Sequence, residues 1–178
     1  MTEEIETTKT AEYPQLLSSE MVSLIESLSL IRRLVTTDNE QFEESVFCKR
    51  VTDTLLHLSG ISASCISLMT DEGSRCIACS GDLTEQGKEP RCLLDPIEVM
   101  AKNAGPGDRK AVLLTQGGHC RLIVPLVYVG KRLGSFTLDY PTPGDFQPWH
   151  EQLFRLCADI VTQSLVFGRE VRGMRRDL

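Results

Sequence analysis

The amino-acid sequence predicts an α+β fold, with one antiparallel sheet and helices segregated from it along the chain. Apolar residues recur every three or four positions before residue 58 and again after Pro148, which is the helical period. Between these stretches lie short β-rich runs separated by glycine-containing turns. Every strand-to-strand link is a hairpin or a helix-bearing loop, so we expect no parallel crossovers.

Composition and charge narrow the classes of function. The 178 residues are enough for one well-filled domain, and 41% of them are hydrophobic and 25% charged, as in an ordinary globular protein. The longest apolar run, Leu122–Val129, is too short to cross a bilayer, and the first residues are acidic where an export signal would be basic. The net charge of -6 repels phosphate backbones and anionic lipids. We therefore expect a cytoplasmic protein whose domain binds neither nucleic acid nor membrane.

Two helices are predicted before the first strand. Residues 1–12 are polar and acidic and are expected to form a disordered tail. Residues 13–35 predict an amphipathic helix with apolar residues in steps of four and three, the spacing of helices that pair: Leu17, Met21, Leu24, Leu28 and Ile31. Thr37 and Glu40 form a capping box that predicts the start of a second helix, and Gly60 is placed to end it.

The first strands follow Gly60. Residues 61–70 and 75–80 predict a hairpin around the loop Asp71–Ser74. Asp95 and Pro96 then supply the N-cap and first-turn signals of a short helix. Residues 110–115 predict the third strand, which leads into the last hairpin.

The last hairpin gives the strongest local signal. Residues 120–129 and 131–140 are both β-rich. They are joined by Val129–Arg132, in which Gly130 stands at the first central position. That arrangement predicts a type II′ turn.

A long final helix is predicted from Pro148 onward. It carries a second apolar seam with helical spacing, which includes Ile160, Phe167, Val171 and Met174. We assign residues 36–168 to the domain and 169–178 to a helix or linker that leads toward an effector domain. Two chains could bury both seams in a parallel four-helix bundle, whereas in a single chain the seams would pack on the sheet.

The seven cysteines predict thiols rather than a disulfide framework. Their number is odd and most lie within apolar runs, where a reduced cysteine behaves as a small hydrophobic residue. Cys76 and Cys79 have the spacing of one ligand pair of a zinc site, but the sequence lacks a second ligand pair at a suitable distance. In a regular strand, positions i and i+3 face opposite sides of the sheet. We therefore expect neither a disulfide nor bound zinc.

The segment from Leu122 to Asp139, with the residues after it, resembles the GAF domain family. An apolar strand with a proline is followed by a glycine turn and by a strand that opens with the pair Leu133-Gly134. Phe146 and the helix Pro148–Leu165, with the small residue Ala158, are similar to the closing part of the family pattern. The resemblance covers roughly residues 36–168 of the chain.

The resemblance implies a sensory module of a bacterial signalling protein. GAF domains have a PAS-like fold with helices on one side of the sheet and a ligand pocket on the other, here between the sheet and residues 81–118. A small-molecule ligand would contact His119, Cys120, Thr137 and Asp139. Its identity, and any cofactor, are left open by the sequence, which requires none. A homodimer of the terminal helices would couple the pocket to a C-terminal effector domain.

Two other functions stay open at this point. One is a redox enzyme, because Gly117–Cys120 resembles the free methionine-(R)-sulfoxide reductases among GAF proteins. Against it, Arg121 stands where that group carries an acidic residue, Thr137 replaces one of its two aspartates, and Cys120 lies too close to the strand. The other is a dimerisation module that binds no ligand.

Overall fold

The structure is a computed structural model that describes residues 42–57, 60–81, 107–116 and 119–176, together with Ile25, Leu28, Ser29 and Arg32. These four single residues are helical, in agreement with the first predicted helix. The rest of that helix, with Leu17, Met21, Leu24 and Ile31, lies outside the described residues. So does the short helix predicted after Asp95.

Two helices, five strands and one 3₁₀ turn form the described part of the fold. Their order along the chain is α1 (Glu44–Leu55), β1 (Ala63–Thr70), β2 (Gly73–Gly81), β3 (Val112–Gln116), β4 (His119–Tyr128), β5 (Lys131–Tyr140), the 3₁₀ turn (Pro143–Asp145) and α2 (Pro148–Arg176). The strands begin and end within a few residues of the predicted bounds.

The strands form one antiparallel sheet in the order β2-β1-β5-β4-β3. This confirms the predicted α+β class and the single antiparallel sheet. The two central strands, β1 and β5, approach closely at Gly134, which lies opposite Leu68. A Cβ atom on Gly134 would lie 2.1 Å from the carbonyl oxygen of Ser67, so this position has no room for a side chain.

Both helices pack on the same face of the sheet and enclose the core. α1 lies against β1 and β2, and α2 lies mainly against β4. Apolar residues from both helices and four of the strands form one cluster, including Val51, Ile66, Leu122, Leu138 and Leu165. Burial of each large side chain contributes roughly 1.5–3 kcal/mol, so this layer is the main source of stability.

Hydroxyl groups fasten α1 to the edge of the sheet. The Ser64 hydroxyl donates to the Thr52 carbonyl oxygen at 2.7 Å, and the hydroxyl oxygens of Thr52 and Ser80 lie 2.7 Å apart. Lys49 donates to the Ser80 hydroxyl at 2.8 Å and to the Asp53 carboxylate at 2.5 Å. These bonds satisfy buried polar groups and fix α1 over β1 and β2.

The prediction that the second helix starts at the capping box of Thr37 and Glu40 is wrong for α1. Phe42 and Glu43 are not helical, and α1 begins at Glu44 with Glu43 as its N-cap residue. The rings of Phe42 and Phe47 lie 5.6 Å apart, one before the N-cap and one in the first turns. This hydrophobic staple sets where the chain enters the helix.

The turn between β4 and β5 also differs from the prediction. The chain turns at Val129 and Gly130, one residue earlier than expected, and Tyr128 pairs with Lys131. Val129 has a φ of 46° and Gly130 a φ of 73°. Positive φ at both central residues defines a type I′ turn rather than the predicted type II′. A shift of register between Leu126 and Val127 accompanies this turn.

Candidate functional site

The two faces of the sheet differ in chemistry. One face carries the apolar cluster under the helices. The opposite face, which we call the second face, carries Cys65, Ser67, Arg121, Thr137 and Asp139. These residues share a face because they alternate with core residues along their strands and pair directly across them. Polar groups are therefore concentrated on the face of the sheet opposite the two helices.

An ion pair marks one row of the second face. Arg121 and Asp139 are direct partners across β4 and β5. The Arg121 guanidinium donates from Nε to Oδ1 at 2.5 Å and from Nη2 to Oδ2 at 3.0 Å. The two side chains are 21% and 19% exposed. A two-point pair of this kind fixes the direction of both groups, while their limited exposure still leaves them open to contact.

A row of hydroxyl groups lies beside the ion pair. Ser135 is 1% exposed, Thr137 is 8% exposed and Ser67 is 4% exposed. Ser135 lies directly opposite Ser67 in the sheet. The Ser135 hydroxyl is buried and has no hydrogen-bond partner among the described residues. A buried hydroxyl without a partner costs free energy, so this atom is a natural contact for a bound polar group or a water molecule.

The structure brings together only part of the predicted ligand-binding set. Thr137 and Asp139 lie on the second face, two residues apart on β5. Cys120 adjoins Arg121 on β4 and pairs with Tyr140, so it lies on the opposite face and packs within the apolar cluster. His119 is the first residue of β4, and its side chain is outside the described part of the structure.

The surroundings of Cys120 explain why it does not join Thr137 and Asp139. It is 2% exposed, and burial raises the pKa of its thiol. A cysteine that is buried and protonated is neither a good nucleophile nor accessible to a ligand on the other face. The sequence alone does not show which of the two successive residues, Cys120 or Arg121, points into the core.

Arg121 and Ser135 are site residues that the sequence reasoning missed. In the sequence, Arg121 stands out only as a departure from an enzyme pattern. Strand alternation with Asp139 would have placed the two charges side by side, had the register of β4 against β5 been known. No comparable signal distinguishes Ser135 from other strand serines, because its missing partner is a property of the folded chain.

Three sulfur atoms form a second cluster on the same face. The sulfurs of Cys76 and Cys79 lie 3.1 Å apart, and those of Cys79 and Cys65 lie 2.8 Å apart. The prediction that Cys76 and Cys79 face opposite sides of the sheet is therefore wrong. A β-bulge is the cause: Ala78 pairs with Ile66 and Cys76 with Ser67, so one additional residue of β2 shifts the alternation.

The expectation that the chain contains no disulfide is also wrong. Cys76 is disulfide-bonded, whereas Cys48, Cys65, Cys79, Cys120 and Cys157 are reduced. Among the described residues, no group of three His, Cys, Asp or Glu side chains is arranged to hold a metal ion.

The outer face of α2 carries part of the predicted dimer seam. Phe167 is 53% exposed and Met174 is 61% exposed, and Val171 is half-buried. Ile160 is half-buried as well, but it packs against the core cluster. On the first helix, Leu28 is 37% exposed. No helix in the described part of the chain is long and apolar enough to cross a membrane.

No protein-family model matches the chain, and no curated protein matches it in sequence. Solved structures do match it in three dimensions. A GAF domain assigned to a sensor histidine kinase from Pseudomonas syringae pv. tomato has a TM-score of 0.63 at 15% identity, covering 92% of this chain and 99% of that chain. The phycoerythrobilin-bound GAF domain of a cyanobacterial phytochrome has a TM-score of 0.63 at 9% identity, covering 83% and 98%.

An enzyme has a similar fold. Free methionine-R-sulfoxide reductase from Neisseria meningitidis, in complex with its substrate, has a TM-score of 0.62 at 12% identity. The match covers 82% of this chain and 91% of that chain. Together these likenesses confirm that the chain has the GAF fold, which the sequence resemblance implied. At such low identities they concern the fold, and they leave the function to the residues of the site.

Proposed function

We propose that this chain is a sensory domain that binds a small polar molecule on the second face. The observation that carries the proposal is the buried Ser135 hydroxyl, which has no partner among the described residues. It lies two residues from Thr137 on β5, and Thr137 lies two residues from Asp139. A ligand with a hydrogen-bonding group would satisfy the hydroxyl, and a charged group would contact Arg121 or Asp139.

The ion pair between Arg121 and Asp139 indicates which chemical groups the ligand should carry. Arg121 offers donors and Asp139 offers acceptors, and neither side chain is fully buried. A molecule that carries both a carboxylate and an ammonium or hydroxyl group could contact the two partners without leaving a charge unpaired. Small amino and hydroxy acids fit this description, and we propose them as the first compounds to test.

The helices supply the route from the ligand to an effector. α2 packs on β4 behind the second face and continues to Arg176, which supports a path along this helix from the sheet to the far end of α2. We propose that Phe167, Met174 and Leu28 pair with the same residues of a second chain. Burial of these exposed apolar groups would stabilise a homodimer. Its relative helix positions would report the state of the site to a C-terminal effector domain.

A thermal-shift screen tests the ligand site. A panel of amino acids, hydroxy acids and uncharged analogues is added to the wild-type chain, to Ser135→Ala and to Arg121→Met. We expect one class to raise the melting temperature of the wild type and to lose most of that effect in both variants. Thr162→Val is the matched control, because Thr162 is also buried without a partner among the described residues but lies on α2.

Two results would contradict this proposal. One is a wild-type melting temperature that no compound in the panel moves, which would favour a dimerisation module without a ligand. The other is an equal shift in the wild type, Ser135→Ala and Arg121→Met, which would place binding elsewhere.

A redox enzyme is the alternative function, because a free methionine-R-sulfoxide reductase has a similar fold. Its test is an assay with free methionine-(R)-sulfoxide, thioredoxin and a source of reducing equivalents. We expect no turnover, because Cys120 is buried on the helix side of the sheet. Turnover that is lost in Cys120→Ala would contradict the proposed sensory role.

A further inference from the structure

The sulfur cluster at the edge of the sheet places a thiol against a disulfide. The Cys79 sulfur lies 3.1 Å from the Cys76 sulfur, and Cys76 is disulfide-bonded. This separation is within the distance at which bound reactants attack. β2 is an edge strand of the described sheet, and both Cys76 and Cys79 are half-buried, so the two residues are partly accessible to solvent.

The surroundings of Cys79 favour its thiolate. The hydrogen bond with Cys65 lowers the pKa of Cys79, and the positive charge of Lys49 lowers it further. The same hydrogen bond, with burial, raises the pKa of Cys65, which therefore keeps its proton. Burial raises the pKa of Cys48 and of Cys157 to about 12. Among the described thiols, Cys79 is thus the one whose pKa is lowered, and the thiolate is the form that attacks disulfides.

We propose that Cys65, Cys76 and Cys79 form a thiol–disulfide exchange site. The Cys79 thiolate attacks the Cys76 sulfur, a bond forms between these two sulfurs, and the existing disulfide bond of Cys76 breaks. The displaced sulfur leaves with the electron pair as a thiolate and takes a proton from water. The number of disulfides and thiols is unchanged, so the step needs no external oxidant or reductant.

Cys65 has a separate part in this site. Its sulfur lies 2.8 Å from the attacking sulfur of Cys79, so it is a positioning residue, and its hydrogen bond lowers the pKa of Cys79. The site gives the domain two disulfide isomers on the second face, beside the proposed ligand site but independent of any ligand. Because both isomers contain the same number of disulfides and thiols, small thiols and disulfides would change the rate of exchange between the isomers and not their equilibrium.

Tryptic peptide mapping can distinguish the isomers. Cleavage after Arg75 and Lys88 places Cys76 and Cys79 on one peptide, while Cys65 lies on the preceding peptide. The full chain, purified without reductant, is incubated over a series of pH values, quenched in acid, alkylated and digested. A bond between Cys76 and Cys79 leaves their peptide uncrosslinked, unalkylated and two hydrogens lighter.

The proposal predicts that this lighter peptide appears in the wild type and forms faster as the pH rises. Cys79→Ser should slow the loss of the original disulfide about tenfold or more, since a hydroxyl does not attack disulfides under these conditions. Cys65→Ala should move the pH dependence to higher pH while leaving the rate at high pH near that of the wild type. Cys120→Ala, which removes a thiol from the opposite face, should leave both the rate and its pH dependence unchanged.

Either of two results would overturn the proposal. The first is a wild-type chain in which Cys76 is recovered at every pH only with its original partner or only as an alkylated thiol. This readout needs no variant, so it decides the matter even if a substitution prevents folding. The second is a Cys79→Ser chain that folds and loses the original disulfide at the wild-type rate.

Discussion

Replacing Gly134 with alanine tests the packing of the two central strands. The new Cβ atom would lie 2.1 Å from the Ser67 carbonyl oxygen and 2.9 Å from the Leu68 Cα atom. Both contacts are to backbone, so neither can be relieved by a side-chain rotation, and β1 and β5 must separate. Overpacking of this kind costs about 1–3 kcal/mol, and a backbone clash belongs at the upper end. We expect a loss of about 3 kcal/mol.

Urea denaturation followed by circular dichroism measures this loss, and a thermal melt should show a decrease of roughly 6–12 °C. Gly173→Ala is the matched control, because a Cβ atom there meets nothing within 4 Å and the residue is exposed on α2. Alanine at that helical position should stabilise the protein by about 0.5–1 kcal/mol. Equal midpoints for Gly134→Ala and the wild type would refute the close approach of β1 and β5.

Three further predictions concern the turn, a buried histidine and the dimer. Val129→Asn should raise the free energy of unfolding by about 1 kcal/mol in urea titrations, because asparagine tolerates a positive φ better than valine; a decrease would contradict the type I′ turn. Burial lowers the pKa of His150 from its ordinary 6.5, and its Nδ1 accepts a hydrogen bond from the Gln147 amide at 3.1 Å. As the pH falls, the unfolded chain therefore takes up a proton before the folded chain does. The contribution of His150 to the free energy of unfolding should be complete above pH 6.5 and decrease below it in the wild type, but not in His150→Gln. Denaturation midpoints of the two proteins that change equally with pH would refute this. Phe167→Glu with Met174→Glu should convert a dimer to a folded monomer in analytical ultracentrifugation, whereas a wild type that is monomeric at high concentration would refute the dimer.

The class of fold could be predicted because it depends on periodicity and order. All five strands were found from β-rich runs bounded by turn residues, and α2 from its apolar spacing after Pro148. These features are local, and burial of the apolar residues stabilises the same strands and helix that the local pattern predicts. The antiparallel pairing of β1 with β2, of β3 with β4 and of β4 with β5 follows from the short links between them, whereas β1 and β5 pair across distant parts of the chain.

The site could be predicted only in part because it depends on register. Thr137 and Asp139 lie on one face of β5 because they are two residues apart, and their contact with a ligand stays a prediction. The bulge in β2 was not visible in the sequence, and it reversed the facing of Cys76 relative to Cys79. A shift of one residue on one strand changes every side-chain direction beyond it, and pairing across strands decides where that shift falls.

The start of α1 shows the same limit at a helix end. A capping box and a hydrophobic staple are both valid start signals, and the sequence contains both within the eleven residues from Thr37 to Phe47. The staple has tertiary support, because the Phe42 ring packs against Gly168 of α2, where a Cβ atom would lie 2.4 Å from the ring. Packing between distant segments therefore selected one of two local signals.

Native mass spectrometry with the most stabilising compound from the thermal-shift panel shows directly whether the chain binds a ligand through Ser135. We expect one bound molecule per chain in the wild type and in Thr162→Val, and a large loss of the bound form in Ser135→Ala. A wild-type spectrum that shows only the bare polypeptide, or equal binding by Ser135→Ala, would contradict a ligand site on the second face.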